Sequence, residues 1–542
     1  MIRTLGYFLS RELAKVTGMA LVAFTLVMTI FAIIEPLRKE GLAAGQLAAL
    51  LAYTVPIMLS LTLPIAALFA STIVYGRFSQ DNELTACRAS GVSTVRVLKP
   101  AIALGAVVTV CSLLLSNYVT PKMIELTQYS VKANVLGIVR QKFRSQNYVD
   151  YGQQIIHADS VEQEGETLDL QGVVAVDGRR RDDIRILTAS NAVARFDQSG
   201  GQTYVTVSLI QPTVMRTGSR DIIEQASMPL PPRPLPRGVR EDASWYDWDR
   251  LLRTLKGPTE NTEIAAQLTR IQRRIANDSL AHEIAETINR GQAYEGLTLE
   301  GETYAIRAAS AEVGNKEVVV LHSAAGDAPA TRPVEASVKR DGKVRQVIRA
   351  ENGSIEMDWA LGQDAPLATL TLRDGVTVAT GAGTAGTLQR RTGWEASQLS
   401  VPGEVVRRAA GIRLEDICLR GGELTSSTGI LNEIRNLNVE SIPRLTNRII
   451  AELHGRIAYG ISCFLMVAMG AALGLMFRGG QIISAFALAV VPAAIVIVMM
   501  LMGKQLVRRV DLPTFYGLAA IWSGIVALLV ADACVYLHLA RK

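Results

Sequence analysis

Six long apolar stretches divide the chain into two hydrophobic ends and a polar middle. Because the hydrocarbon core of a bilayer is about 30 Å thick, a membrane-spanning helix requires about 20 apolar residues. The stretches that meet this length cover residues 16–36, 48–76, 100–120, 453–477, 481–503 and 514–537. The pattern therefore predicts six transmembrane helices, three before and three after the polar middle.

The polar middle has the pattern of short β-strands. Alternating apolar and polar residues begin near Tyr148, and Asp177-Gly178 supplies a hairpin turn, because glycine accepts a positive φ. Many short strands with frequent turns predict an antiparallel sandwich or jelly roll over residues 121–228. A second strand-rich block is predicted over residues 303–420, so the fold class is a helical membrane protein with an inserted, extracytoplasmic antiparallel β-region.

Two connecting segments complete the predicted domain organisation. Residues 229–302 begin with a proline-rich, extended linker and continue with helical periodicity. Residues 421–452 are predicted to be helical and to lead into the last three spans, residues 453–542. The first three spans fill residues 1–120 and enclose a short helix at about 79–91.

The two strand-rich blocks contain the same order of local patterns. Residues 157–161 resemble residues 307–311, and residues 187–191 resemble residues 348–352. The spacing between these patterns agrees only loosely. The sequence therefore leaves two interpretations open, a tandem pair of related β-domains or coincidental β-sheet patterning.

Composition and charge agree with a membrane protein. Hydrophobic residues make up 49% of the chain and charged residues 20%, which excludes a disordered protein. The net charge of +6 is modest and the basic residues lie near the span ends, so nucleic acid is not an expected partner. Of the five cysteines only Cys418 lies in the polar middle, so that region has no internal disulfide.

Basic residues at the ends of the spans predict the orientation. With a cytoplasmic N-terminus, ten basic residues flank the spans on the cytoplasmic side and five on the other side. The five are Arg38, Lys39, Lys504, Arg508 and Arg509. The excess predicts that both termini are cytoplasmic and that the polar middle is periplasmic.

The segment between the second and third spans carries a short helix. Ser79 or Asp81 can cap its N-terminus, and Asp81 and Glu83 suit the positive end of the helix dipole. Gly91 can end the helix in the left-handed conformation. These features alone fit an ordinary surface helix as well as a docking element.

Three motifs resemble the lipopolysaccharide-export permeases of the LptF/LptG family. Residues 83–93 resemble its E-x-x-A-x-R-A-x-G-x-S segment, residues 452–456 its E-x-H-x-R motif, and residues 473–480 its glycine-rich turn. The order of these motifs within the three-plus-three layout carries the resemblance, which covers roughly residues 1–215 and 430–542. The region at 240–420 departs from the family pattern of a single β-domain.

The resemblance implies a function, partners and a location. Family members are half-transporters of the inner membrane that pair as homo- or heterodimers and are driven by a cytoplasmic ABC ATPase. They pass lipopolysaccharide or a related lipid to periplasmic jellyroll bridge proteins. Since this chain has no G-x-x-x-x-G-K-[ST] phosphate loop, ATP is expected to be hydrolysed by a separate subunit, and no cofactor is expected in the chain itself.

The resemblance also implies two sets of site residues. Glu83 is the candidate to meet a basic residue of the ATPase, with Arg88 and Gly91 in support. The candidates for binding an anionic lipid headgroup, in which arginine can bind phosphate bidentately, are Arg38, Lys39, His454 and Arg456. The alternative for this second set is an interfacial anchor that reaches ordinary headgroups.

Two other classes of function fit the sequence less well. His282-Glu283 begins a zinc-protease motif, but position 286 is glutamate, so the second histidine ligand is missing and neither catalysis nor a metal site is expected. A membrane-anchored periplasmic binding or scaffold protein without transport activity needs only one span. It also leaves the short helix at 79–91 unexplained.

Overall fold

The computed structural model forms two compact units, residues 1–256 with 444–542 and residues 257–443. The residues that the structure describes are 2–40, 44–132, 148–151, 154–164, 167–177, 185–199, 202–216, 222–224, 227–229, 233–234, 242–299, 301–314, 317–323, 333–359, 366–380, 387–477 and 482–541. Every structural statement below concerns these residues.

The N-terminal part of the first unit consists of long helices. The third of them runs without a break through a π-helical turn. The elements are α1 (Ile2–Glu40), α2 (Ala44–Gln80), the short α3 (Glu83–Ala89), α4 (Thr94–Leu114), the π turn Leu115–Val119 and α5 (Thr120–Lys132).

The first β-region is an antiparallel sheet of nine described strands. Their order is β1-β2-β4-β5-β6-β7, with β3 beside β4, and β8 and β9 beside β6. Gly178, the second residue of the predicted hairpin turn, lies outside the described residues. The strands are β1 (Tyr148–Tyr151), β2 (Gln154–His157), β3 (Ser160–Glu164), β4 (Thr167–Asp177), β5 (Arg185–Ser199), β6 (Gln202–Arg216), β7 (Ile222–Glu224), β8 (Ser227–Pro229) and β9 (Arg233–Pro234).

A short polar segment follows within the first unit. It contains the 3-10 turn Ala243–Trp245 and the helix α6 (Trp248–Lys256). Asp242 caps the turn, because its carboxylate accepts a hydrogen bond from the backbone N–H of Ser244 at 2.9 Å. Residues 242–248 are called the strap below.

The second unit packs a long helix against a second antiparallel sheet. Leu280, Ile284 and Ile288 of that helix are fully buried among strand residues, because they recur on one helix face. The unit thus includes the helical part of the segment predicted at 229–302. Its elements are the 3-10 turn Pro258–Glu260, α7 (Thr262–Asn289), β10 (Tyr294–Leu299), β11 (Glu302–Arg307), β12 (Ser310–Val313), β13 (Val319–His322), β14 (Val334–Arg340), β15 (Lys343–Ala350), β16 (Asn352–Asp358), β17 (Leu367–Thr380), β18 (Thr387–Ser400), α8 (Gly403–Ala410), α9 (Leu414–Leu424), α10 (Thr428–Asn436) and the π turn Leu437–Ser441.

Each β-region has a similar corner between two of its strands, closed by one backbone hydrogen bond. In the first region the backbone N–H of Asp159 donates to the carbonyl oxygen of Gln171 at 2.9 Å. In the second region the N–H of Ala309 donates to the carbonyl oxygen of His322 at 3.1 Å. Both corners lie within the two segments, residues 157–161 and 307–311, whose sequences resemble each other.

The strand pairings extend this equivalence beyond the corner. The pairs that recur are Val173–Ala189 and Val334–Ala350, Leu170–Ala192 and Leu321–Gly353, and Val193–Ser208 and Ser354–Thr371. Similar sequences thus pair in the same register, which supports a tandem pair of related β-domains over coincidental patterning. The tandem pair itself stays a prediction.

Three further long helices complete the chain. They are α11 (Ile442–Met476), α12 (Ile482–Arg508) and α13 (Thr514–Arg541). The helices long and apolar enough to cross a membrane cover Thr4–Ile34, Leu50–Gln80, Thr94–Thr127, Thr428–Met476, Ser484–Arg508 and Thr514–Leu539. The prediction of six spans around an inserted antiparallel β-region is therefore confirmed.

Small residues bring α2 and α11 close together. A Cβ atom added at Gly474 would lie 2.7 Å from the carbonyl oxygen of Thr72, and one at Gly470 would lie 2.8 Å from the hydroxyl oxygen of Thr72. Both distances are shorter than van der Waals contact. Gly470 and Gly474 thus form a small-xxx-small contact with α2, because a larger side chain would not fit there.

A neighbouring helix compensates for a proline inside α2. Pro64 has no N–H group to donate to the carbonyl oxygen of Ser60, four residues earlier. The hydroxyl group of Tyr459 in α11 donates to that oxygen instead, at 3.1 Å. The helix therefore continues through the proline, as expected where another helix satisfies the freed group.

Candidate functional site

Helix α3 is fixed to the ends of the long helices by two apolar side chains. Leu84 and Val92 are buried in a cluster that also contains residues from α1, α2, α4, α11 and α13. Members of the cluster include Leu9, Leu13, Tyr75, Phe78, Val97, Leu98, Leu475 and Leu539. A helix of two turns is marginal by itself, so this burial holds it in place.

The start of α3 differs from the predicted cap. Its N-cap residue is Asn82, which has a φ of 60° and makes no side-chain cap hydrogen bond. Ser79 still belongs to α2, and its hydroxyl group donates to the carbonyl oxygen of Leu475 at 3.0 Å. The expectation that Ser79 or Asp81 caps the helix is therefore wrong, because α2 continues to Gln80 and a tight turn follows.

The end of α3 is formed by Gly91, as predicted. Gly91 has a φ of +78°, in the left-handed region that glycine adopts without strain. Its N–H donates to the carbonyl oxygen of Arg88 at 2.9 Å, and the N–H of Val92 donates to that of Cys87 at 3.0 Å. This pair of hydrogen bonds is the Schellman motif, which satisfies the last carbonyl groups of a helix.

The polar side chains of α3 face solvent. Glu83 is exposed, whereas the Nε of Arg88 donates to the hydroxyl oxygen of Thr94 at 3.2 Å. Burial and the nearby Glu83 carboxylate both raise the pKa of the Cys87 thiol, so this cysteine stays protonated at neutral pH. The helix thus presents one carboxylate on a short, well-anchored support.

Arg456, by contrast, is buried near the middle of α11. It is 5% exposed. Its Nη2 donates to the carbonyl oxygens of Ser244 and Tyr246, both at 2.9 Å, and its Nη1 donates to the Oδ1 of Asn117 at 3.3 Å. The guanidinium group therefore binds the strap and α4–α5, and this placement does not support its predicted contact with a lipid phosphate.

Glu452 forms ion pairs with Arg456 and with two other basic side chains near it. It lies one turn earlier on α11, 4% exposed, with its Oε2 3.8 Å from the Nε of Arg456. Lys504 Nζ approaches Oε2 at 3.1 Å and Arg508 Nη2 approaches Oε1 at 3.0 Å. Three cations thus share one buried carboxylate, which compensates the cost of its burial.

Asp242 of the strap adds a second carboxylate to this cluster. Arg508 Nη2 also lies 3.5 Å from the Oδ1 of Asp242. Burial by itself raises the pKa of Asp242, but the N–H of Ser244 and the charge of Arg508 outweigh it, so the pKa is lowered. Tyr246 is 1% exposed and lies beneath the guanidinium of Arg250, whose carbon is 4.0 Å from the ring centroid.

The remaining predicted residues are not part of this cluster. His454 is half-buried, and its Nδ1 accepts a hydrogen bond from the Nε1 of Trp522 at 3.3 Å. Arg38 and Lys39 lie in the last turn of α1, but their side chains are outside the described part of the structure. The structure therefore does not bring the four predicted lipid-binding residues together.

Sequence reasoning missed five residues of the cluster, which are Glu452, Asn117, Lys504, Arg508 and Asp242. The spacing of four residues between Glu452 and Arg456, and between Lys504 and Arg508, was the available signal, because such pairs share a helix face. The carboxylate partner also explains why basic residues on the predicted periplasmic side are not few, since Lys504 and Arg508 are paired.

These elements define a class of protein, a multi-pass helical membrane protein with an inserted antiparallel β-region. The family model described as lipopolysaccharide export system permease LptF/LptG matches residues 7–227 and 311–537. The chain therefore belongs to the LptF/LptG family, a family of inner-membrane transporter permeases. A comparison with curated proteins finds no match.

The unmatched segment, residues 228–310, lies between the two matched parts. It contains the strap and α7. The second matched part begins at 311 and so includes most of the strands of the second β-region, which the sequence analysis treated as outside the family pattern. The buried cluster formed by Arg456, Glu452, Lys504, Arg508, Asn117 and the strap is called the Arg456 cluster. It thus joins matched residues of the long helices to unmatched residues of the strap.

Proposed function

We propose that this protein is the permease subunit of an ATP-driven exporter that moves lipopolysaccharide or a related lipid out of the inner membrane. The observation that carries the proposal is α3, a short helix that exposes the carboxylate of Glu83 and is anchored on the apolar ends of the long helices. A separate ABC ATPase docks on α3, with Glu83 as the contact to a basic residue. Such a pair fixes the register between two moving bodies more than it adds affinity.

The distance along α11 between the Arg456 cluster and the cluster below α3 supports a two-sided arrangement. Arg456 and Leu475 are 19 residues apart on this helix, which corresponds to about 28 Å at 1.5 Å per residue. This length is close to the thickness of the hydrocarbon core. In the proposed orientation α3 and both termini are cytoplasmic, and the strap and the β-regions are periplasmic.

The proposed partners follow from the same arrangement. A second permease of the family completes the transporter, as a homo- or heterodimer. Periplasmic jellyroll proteins continue the path of the lipid beyond the antiparallel strands of the first β-region. Arg38, Lys39 and His454 remain proposed headgroup contacts at the edges of the spans.

The test is a charge reversal on α3. Glu83→Lys is expected to abolish co-purification of a P-loop ATPase and delivery of lipid to the outer membrane, while the protein level in the membrane stays unchanged. The matched control is Asp511→Lys, because Asp511 is also an exposed acid but lies in the loop after α12, at the other end of the helices.

Two outcomes separate the possible functions. If Glu83→Lys leaves both ATPase association and lipid delivery intact, the coupling role of α3 is wrong. If no ATPase accompanies the wild-type protein and its deletion leaves lipid delivery unchanged, the protein is a membrane-anchored binding or scaffold protein instead.

A further inference from the structure

The third span changes its helical form where α4 ends. Residues Leu115–Val119 form a π turn between α4 and α5, and Pro121 follows two residues later. Proline has no N–H group to donate to the carbonyl oxygen four residues earlier, which here belongs to Asn117. Because helices bend at prolines and at π turns, two causes of bending coincide at this point of the span.

One polar group beside this π turn is left unsatisfied. The Oγ1 of Thr120 is buried and has no hydrogen-bond partner among the residues that the structure describes. A buried hydroxyl group without a partner costs free energy. A movement of this segment can therefore gain a hydrogen bond.

Arg456 connects this π turn to the strap. Its Nη1 donates to the Oδ1 of Asn117, which lies within the π turn, at 3.3 Å. Its Nη2 donates to the carbonyl oxygens of Ser244 and Tyr246 in the strap, both at 2.9 Å. The Nδ2 of Asn117 in turn donates to the carbonyl oxygen of Leu113 at 2.8 Å. One buried side chain of α11 thus holds both the strap and the bending point of the third span.

The strap can leave Arg456 without an unpaired charge remaining in the interior. The Oε2 of Glu452 lies 3.8 Å from the Nε of Arg456, so the guanidinium group keeps a carboxylate partner when the strap moves away. A buried arginine without such a partner is strongly destabilising. The two carbonyl groups of the strap, for their part, accept hydrogen bonds from water once they reach solvent.

We propose that the strap is a latch on a hinge in the third span. While the strap carbonyl groups bind Arg456, the arginine holds Asn117, and the angle between α4 and α5 is fixed. When the strap leaves, Arg456 releases Asn117, and α5 changes its angle at the π turn. Since α5 leads along the chain toward the first β-region, the latch controls how that region is held on the third span. This device goes beyond the proposed export function and can be tested on the chain alone.

The test is amide hydrogen exchange, measured by mass spectrometry on the full-length protein in lipid nanodiscs. Arg456→Lys keeps the positive charge beside Glu452 but removes the planar fork of donors that binds several acceptors at once. The exchange rates of residues 242–248 and 115–124 are expected to rise together by about tenfold, which corresponds to about 1.4 kcal/mol. The exchange of residues 458–470, which follow on α11, is expected to stay unchanged.

The matched control is Arg509→Lys, the same replacement at an exposed position, and it is expected to change the exchange of neither segment. If Arg456→Lys raises the exchange of the strap but not that of residues 115–124, the strap does not control a hinge. If the exchange rises equally throughout the spans, Arg456 only stabilises the fold, and the proposal is wrong.

A second variant, Asn117→Ala, separates the hinge from the latch and serves also where Arg456→Lys fails to fold. It removes the contact between the third span and Arg456, whereas the strap keeps its two hydrogen bonds to the arginine. Exchange is therefore expected to rise in residues 115–124 and to stay unchanged in the strap. Unchanged exchange in residues 115–124, or an equal rise in the strap, overturns the proposal.

Discussion

The hydroxyl group of Ser79 donates a hydrogen bond to the backbone carbonyl oxygen of Leu475, 3.0 Å away. This contact joins the last turn of α2 to the last turn of α11, immediately before α3. On the other side of α3 the hydroxyl group of Tyr75 donates to the carbonyl oxygen of Val97 at 2.9 Å. The short helix therefore lies beside hydrogen bonds that join α2 to α11 and α2 to α4.

The close contact between α2 and α11 predicts the effect of a single methyl group. Gly474→Ala places a Cβ atom 2.7 Å from the carbonyl oxygen of Thr72 and 3.0 Å from the backbone nitrogen of Gly76. Because backbone atoms on both helices must move, we expect a loss of about 1–3 kcal/mol in the free energy of unfolding. Thermal unfolding in detergent measures this loss.

Gly18→Ala is the control for that substitution. Gly18 is also inside a spanning helix, but nothing lies within 4 Å of its added Cβ atom. Alanine there is expected to be neutral or to stabilise the protein by up to about 1 kcal/mol, since alanine favours helix. Equal effects of the two substitutions would mean that the α2–α11 contact is not tight.

Gly91 predicts a purely conformational effect. Its φ of +78° is unfavourable for alanine, while nothing lies within 4 Å of an added Cβ atom. Gly91→Ala is therefore expected to cost about 1 kcal/mol, and Gly91→Asn less, because asparagine tolerates this region better. Amide hydrogen exchange of residues 83–92 is the measurement, and equal protection in all three proteins would contradict the expectation.

The features that sequence predicted are local. A run of about 20 apolar residues determines a span by length alone, and Gly91 follows a helix where the left-handed conformation is needed. The matching order of local patterns in the two β-regions was also visible, because residues 187–191 resemble residues 348–352, although the sequence left a repeat and coincidental patterning both open. Each of these signals lies within a short segment.

The features that sequence missed depend on distant partners. The donors of Arg456 meet carbonyl groups of residues more than two hundred positions earlier, and a backbone carbonyl has no sequence signature. Ser79 likewise bonds Leu475 rather than its own helix end. The residue types indicate that these polar groups need hydrogen-bond partners. Only the packing of the helices determines which groups become the partners.

A substitution at Leu84 tests whether the docking of an ATPase depends on the anchoring of α3. The side chain is 2% exposed within the cluster below α3, so Leu84→Ala leaves a cavity and is expected to destabilise this region by about 2–5 kcal/mol. We expect ATPase co-purification to fall although Glu83 is unchanged. Thr85→Ala, at an exposed position of the same helix, is the control. Full association of Leu84→Ala would show that a fixed α3 is not required.

Asp242 predicts a pH dependence of the strap. Its folded-state pKa lies below the ordinary value of 3.8, because the Ser244 N–H and Arg508 outweigh the effect of burial. A carboxylate with a depressed pKa contributes stability that is fully present above its unfolded pKa and is lost as the pH falls through its folded pKa. The stability difference between the wild type and Asp242→Asn is therefore expected to be constant from about pH 7 to about pH 5. It is expected to decrease as the pH falls below the ordinary pKa of 3.8 and to vanish only below the lowered folded-state pKa.

The size of this difference is small, about 0.5 kcal/mol at neutral pH, because the ion pair is partly exposed and screened. Amide hydrogen exchange of residues 242–248, compared between the wild type and Asp242→Asn at each pH, measures it without interference from other carboxyl groups, which are common to both proteins. Raising the salt concentration at neutral pH should reduce the same difference. A difference that does not decrease at all as the pH falls through the acidic range in which Asp242 becomes protonated would mean that packing rather than the carboxylate charge holds this end of the strap.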